Sequence, residues 1–119
     1  MAKQIKTINY DADNDIFFMS NGEKVKFSLD IGDFVLDVNH RNLICGIEIM
    51  DASENLGISK SVLSQAQSIK MSVTYKTNNV YVLLVMSFKE KGREVNIPIP
   101  LTLNLGHKTP TTDVLVYGR

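Results

Sequence analysis

The sequence predicts an α+β fold, mostly antiparallel β. Short hairpins form a sheet or a partly closed barrel or sandwich, with one short helix packed on it. Three observations predict this. Apolar and polar residues alternate with period two over residues 25–31 and 69–76, the pattern of a half-buried strand. Compact turn signals separate these runs: Ser20-Asn21-Gly22-Glu23, Asn39-His40-Arg41-Asn42, Thr77-Asn78-Asn79 and Glu90-Lys91-Gly92-Arg93. Only one stretch changes period, with Ile58, Val62, Leu63 and Ala66 on one helical stripe.

In order, residues 5–10 read as a first strand, 11–15 as a polar turn and 16–19 as an apolar strand. Val25, Phe27, Leu29 and Ile31 mark the next strand, broken by Gly32-Asp33. Residues 34–38 and 43–50 complete a meander spanning about 4–56. Asp51-Ala52-Ser53-Glu54 has capping-box spacing, with Gly57 interrupting the turn it starts. Ser59 then caps a helix over about 58–68, of about three turns. So short a helix is marginal alone and must lie on a sheet.

The second β region covers 69–117. Ile69, Met71, Val73 and Tyr75 face one way. The following strand carries Val80, Val82, Leu84, Met86 and Phe88 on one face and Tyr81, Leu83 and Val85 on the other. A strand apolar on both faces calls for a cover on both, from the helix, another sheet or a second subunit. Val95, Ile97, Ile99 and Leu101 alternate with Glu94, Asn96, Pro98 and Pro100; proline lacks an amide donor, so this strand is expected at an edge or to leave the sheet there. A looser tail from Thr102, broken by Pro110, leads to a last short strand at 114–117.

Length and composition bound the function. The chain has 119 residues, enough for a single domain over 1–119 with a real core. Thirteen basic and thirteen acidic residues balance, which disfavours nucleic acid as the partner. The balance is uneven along the chain, since acidic residues dominate the first half and basic residues the second. A lone cysteine, Cys45, forms no internal disulfide and no thiolate cluster. The N-terminal residues resemble no signal peptide, and the longest apolar run, 80–86, is far short of the about 20 residues of a membrane span. A cytoplasmic protein with no membrane partner is the expectation.

Two segments resemble a known family. Tyr10-Asp11-Ala12-Asp13-Asn14-Asp15-Ile16-Phe17-Phe18 and Gly46-Ile47-Glu48-Ile49-Met50-Asp51-Ala52-Ser53 follow, in order, the two motifs of the bacterial and archaeal domain of unknown function 2283. The resemblance covers about residues 4–56. Asp13 stands where that family has Glu, and Phe18 where it has Tyr. The resemblance implies no transferable activity; through members that look like partners in toxin–antitoxin pairs, it implies that a small protein partner is conceivable.

Candidate sites are few. Asp11, Asp13 and Asp15 have the 1-3-5 spacing that opens a calcium loop, but Ile16 and Gly22 occupy the positions needing Gly and Glu. An Asx-rich turn, with the carboxylates capping local amides, is the favoured reading over a weak divalent-cation site. Glu48 interrupts an apolar strand; near Asp37 or Asp30 it would form a hydrolase-like carboxylate pair. His40 and His107 sit in turn-like segments, too few for zinc. No cofactor is expected. The expected function is therefore non-enzymatic: a protein-interaction or self-associating module, a homo-oligomer and most simply a dimer, using Tyr81, Leu83 and Val85. The alternatives are a small-ligand or cation binder or hydrolase using the acidic residues, and a weak nucleic-acid binder gathering Lys60, Lys70, Lys76, Lys89, Lys91 and Arg93.

Overall fold

A computed structural model describes residues 2–104, with side chains from Ile5 onward. His107 and the expected strand at 114–117 lie outside the described residues. The fold is mostly antiparallel β, with nine strands in two sheets and two short helices among the described residues.

The first sheet contains β2 (Thr7–Asp11), β3 (Ile16–Ser20), β4 (Val25–Ile31), β5 (Phe34–Asn39) and β6 (Ile44–Ile49), in the order β2-β3-β6-β5-β4. It departs from the expected meander: β2-β3 and β4-β5-β6 are consecutive hairpins, but β3 pairs with β6 and not with β4. All pairings are antiparallel. Its registers line up two inward rows, Ile8–Met19–Ile47–Leu36–Leu29 and Tyr10–Phe17–Ile49–Phe34–Ile31. The second sheet contains β1 (Ala2–Gln4), β7 (Ser68–Tyr75), β8 (Asn79–Glu90) and β9 (Arg93–Asn104), in the order β1-β7-β8-β9. Its inward rows are Ile69–Met86–Ile97, Met71–Leu84–Ile99, Val73–Val82–Leu101 and Tyr75–Val80–Leu103.

The inward rows of both sheets join one apolar cluster, in which Phe17, Met19, Leu36, Ile47, Ile49, Met71 and Leu84 are fully buried. A polar contact also ties the sheets together: the Ile44 amide donates to the Tyr75 hydroxyl at 2.8 Å, in a buried setting. Tyr75→Phe keeps the ring and leaves that amide without this acceptor. The expected loss is about 1–3 kcal/mol, the cost of an unsatisfied buried donor, read by urea denaturation.

The ends of β9 and the helices depart from expectation. β9 continues to Asn104, so Thr102, expected to open a looser tail, belongs to a strand; the rest of that expected tail lies outside the described residues. The single helix over 58–68 is replaced by α1 (Ala52–Leu56) and α2 (Lys60–Leu63). Gly57 ends α1 at φ 68°, a left-handed position that suits glycine. Ser59 caps α2 as anticipated, its side chain accepting from the Val62 amide. α2 then stops because Ser68 already pairs with Ser87 in the sheet. The residues between have to bridge the two elements. Among the described residues, no helix is long and apolar enough to cross a membrane.

β9 lies at the edge of its sheet, where Pro98 and Pro100 predict it. The Asn21-Gly22 and Lys91-Gly92 turns fall where the sequence places them, with Gly22 at φ 88° and Lys91 and Gly92 both at positive φ.

Candidate functional site

The acidic turn between β2 and β3 is built as a latch. Asp11 accepts from the Asn14 amide at 3.1 Å and from its side chain at 2.8 Å, an Asx turn that holds its carboxyl below the usual range. Asp15 does more. Its backbone is left-handed at φ 56°. Its carboxylate accepts from the Ser53 hydroxyl at 2.6 Å, the Ser53 amide at 3.0 Å and the Tyr10 hydroxyl at 2.7 Å. Its carbonyl accepts from the Ala52 amide at 2.9 Å. The Ser53 hydrogen bond is the main cause that lowers the Asp15 carboxyl pKa. Tyr10 is pushed up to about 12, by burial first and then by its bond to Asp15, so it stays a proton donor.

Asp15 therefore caps α1 from 38 residues away. Asp51, expected to do so, is left-handed at φ 47° and makes no side-chain cap. Asp13 is exposed, and its backbone amide adds to the bonds on the Asp11 carboxylate. Among the described residues, no group of three His, Cys, Asp or Glu side chains is placed to hold a metal ion.

The Asp15→Asn chain, whose amide still tolerates the left-handed backbone, tests the latch. Asp15 has a folded pKa below its ordinary 3.8, so its stabilisation is complete above that value and fades as pH falls through the folded pKa. The substituted chain should melt roughly 4–8 °C lower at neutral pH, and the gap should close in strong acid. Thermal melts of both chains across pH read this out.

Glu48, Asp37 and Asp30 share the outer face of the first sheet. The registers form the rows Asn9–Phe18–Glu48–Val35–Asp30 and Thr7–Ser20–Gly46–Asp37–Ser28. Glu48 is flanked by Phe18 and Val35 on the outer face of β6, the strand that pairs with β3. Asp37 is engaged: it accepts from the Ser28 hydroxyl at 2.7 Å and packs over Gly46, where an added Cβ would come within 2.9 Å of its carboxylate. Glu48 and Asp30 share one outer row with Val35 between them, and Asp37 lies in the next row.

His40 is exposed in the turn between β5 and β6. The polar work there falls to its neighbours. Buried Asn39 accepts from the Arg41 and Leu43 amides, and Glu23 receives Asn21, Asn39 and Arg41. Cys45 is fully buried, in keeping with a small core residue. The six basic candidates are spread out. Lys76 lies in the turn before β8, while Lys89, Lys91 and Arg93 lie at or beyond its far end. There Lys89 pairs in register with Glu94, and Arg93 with Glu90.

One surface stands out. Tyr81 and Leu83 are 42% and 41% exposed, although the opposite face of β8 lies in the core. Both lie on the outer face of β8, which is open to this extent among the described residues. The registers extend the surface across three strands: Lys70–Val85–Pro98, Ser72–Leu83–Pro100 and Thr74–Tyr81–Thr102. A shallow depression of about 360 Å³ runs along Ser72, Thr74, Tyr81, Leu83, Pro100 and Thr102. Sequence reasoning identified Tyr81, Leu83 and Val85 but missed the proline wall, because the β8–β9 register is a tertiary fact.

Comparisons with known proteins add a limited likeness. No family model matches the chain, and no solved structure matches it. A protein of Methanosarcina mazei, named "Putative hypoxanthine phosphoribosyltransferase", is 28% identical over 89 residues, which are 74% of this chain and 72% of that one. The chain is similar to that protein over this span.

Proposed function

We propose that this protein is a non-enzymatic, self-associating module of the cytoplasm, and that the outer face of the β1-β7-β8-β9 sheet is its interface. The observation that carries this is the exposure of Tyr81 and Leu83 on a strand otherwise built into the core. Apolar side chains grouped with proline on a sheet face suit a partner of similar surface.

A second copy is the occupant that the charge pattern favours. Ser72, Thr74, Tyr81, Leu83, Val85, Pro98, Pro100 and Thr102 form an uncharged centre, and the charged Lys70 lies to one side in the rows. Two copies related by a two-fold axis can meet through such a centre without opposing like charges. The resemblance of residues 4–56 to domain of unknown function 2283 is compatible with this proposal. In it, Tyr10, Asp15 and Ser53 are framework residues that join the two motifs.

The name of the Methanosarcina protein suggests phosphoribosyl transfer as another activity. It has less support here. Phosphate recognition draws on free amides at a helix N-terminus. α1 and α2 have five and four residues, and the Asp15 carboxylate already occupies the Ser53 amide of α1.

The test is the mass of the chain by analytical ultracentrifugation over the micromolar range. A concentration-dependent species heavier than one chain is expected. A mass of one chain throughout would remove the proposal.

A further inference from the structure

The four sheet edges differ in what they offer a partner. On β9, Pro98 and Pro100 remove two amide donors, a device that blunts an edge. β1 has three residues and β2 has five. β4 has seven residues and no proline, and it ends the order of its sheet.

Its backbone register is set by the hairpin to β5. Gly32 and Asp33 form a two-residue connection, with Gly32 at φ 61°, and Ile31 pairs with Phe34 across it. In such a hairpin the flanking pair exchanges both hydrogen bonds. Alternation then directs the Leu29 and Phe27 backbone groups to β5. The amides and carbonyls of Ser28 and Asp30 point away, to the open edge.

We propose that β4 pairs antiparallel with β4 of a second copy about a two-fold axis at Ser28, joining two five-stranded sheets into one continuous sheet. The side-chain pattern is self-complementary in this register. Ser28 meets Ser28 of the second copy, and Lys26 meets Asp30 of the second copy, twice. Phe27 meets Leu29 and Val25 meets Ile31. Val25 is 42% exposed in the single chain, and Phe27, Leu29 and Ile31 are half-buried. Pairing covers all four. Opposite charges facing across an antiparallel pair stabilise it, and like charges there destabilise it. Lys26 sits at a bulge between Val25 and Phe27, with its amine 6.0 Å from the Phe27 ring centre.

This contact is separate from the face around Leu83. A chain carrying both two-fold contacts assembles beyond a dimer. The experiment uses the full chain with Leu83→Asp, which removes the face contact alone, and reads mass by sedimentation equilibrium. A dimer is expected. Lys26→Glu or Asp30→Lys added singly should weaken it at least tenfold, and the two together should restore it. The double variant also lacks any contact between Lys26 and Phe27, so its recovery isolates the charge pairing. Independently, Ser28→Cys should oxidise to a symmetric crosslinked dimer. Hydrogen-bonded residues across an antiparallel pair lie about 5.5 Å apart at Cα, inside the disulfide range. A Leu83→Asp chain that stays monomeric, or a double variant no better than the singles, overturns the inference. A Leu83→Asp chain with the same mass as the unaltered one overturns the face interface instead.

Discussion

Leu83→Asp is expected to break the face-to-face association and to leave the fold standing. In the free chain, Leu83 is 41% exposed and lies between Ser72 and Pro100. A carboxylate there remains in contact with water. The strand loses only some of its preference for a branched apolar residue, so the melting temperature of the single chain should fall by less than about 5 °C. In the assembly the two-fold axis doubles the change. Two carboxylates are brought together in an uncharged centre, and each loses water without gaining a cation. Leaving an unpaired charge in such a place costs several kcal/mol, so the dissociation constant should rise by a factor of roughly 100 or more. Leu83→Met, which keeps volume and polarity, should leave association nearly intact. Sedimentation of the three chains side by side decides it: equal dissociation constants would move the interface elsewhere.

Phe17→Ala acts on the fold itself. Phe17 is fully buried, pairs in register with Tyr10 and Ile49, and lies 5.5 Å from the Tyr10 ring centre. Removing its ring deletes apolar burial and leaves a cavity between the sheets, at an expected cost of about 3–5 kcal/mol. Domains of this kind hold about 5–15 kcal/mol in total, so much of the stability goes. The change also loosens the wall behind Tyr10, and with it the bond from the Tyr10 hydroxyl to Asp15. Phe17→Leu should recover more than half of the loss. Urea midpoints of the three chains measure both effects. An unchanged midpoint for Phe17→Ala would mean that the two sheets are not packed on a shared core.

Much of this architecture was readable along the chain. Leu29 and Ile31 alternate with Ser28 and Asp30 because one side of β4 packs on the core and the other faces water. Pro98 and Pro100 named an edge because a ladder needs the donors they lack. Asn21-Gly22 and Lys91-Gly92 named turns because tight chain reversals call for positive φ. The candidate site was half legible. Tyr81, Leu83 and Val85 were visible as a second apolar face, whereas Pro98, Pro100, Ser72 and Thr74 join them only through the registers of neighbouring strands. Asp15 showed the opposite case. It looked like one of three equal carboxylates, yet its partner Ser53 is 38 residues distant, and nothing local separates it from Asp13.

By itself the sequence determined the strands, the turns and which side of each strand is apolar, since these follow from backbone sterics and the burial of alternate side chains. Only the tertiary structure decided the rest. It inserted β6 between β3 and β5 and sent residues 2–4 to the other sheet. It split the helix at Gly57, and it left Tyr81 and Leu83 open. Those outcomes depend on contacts between residues far apart in the chain, where the gain from shared burial must outweigh the entropy of closing long loops, and no local pattern records that balance.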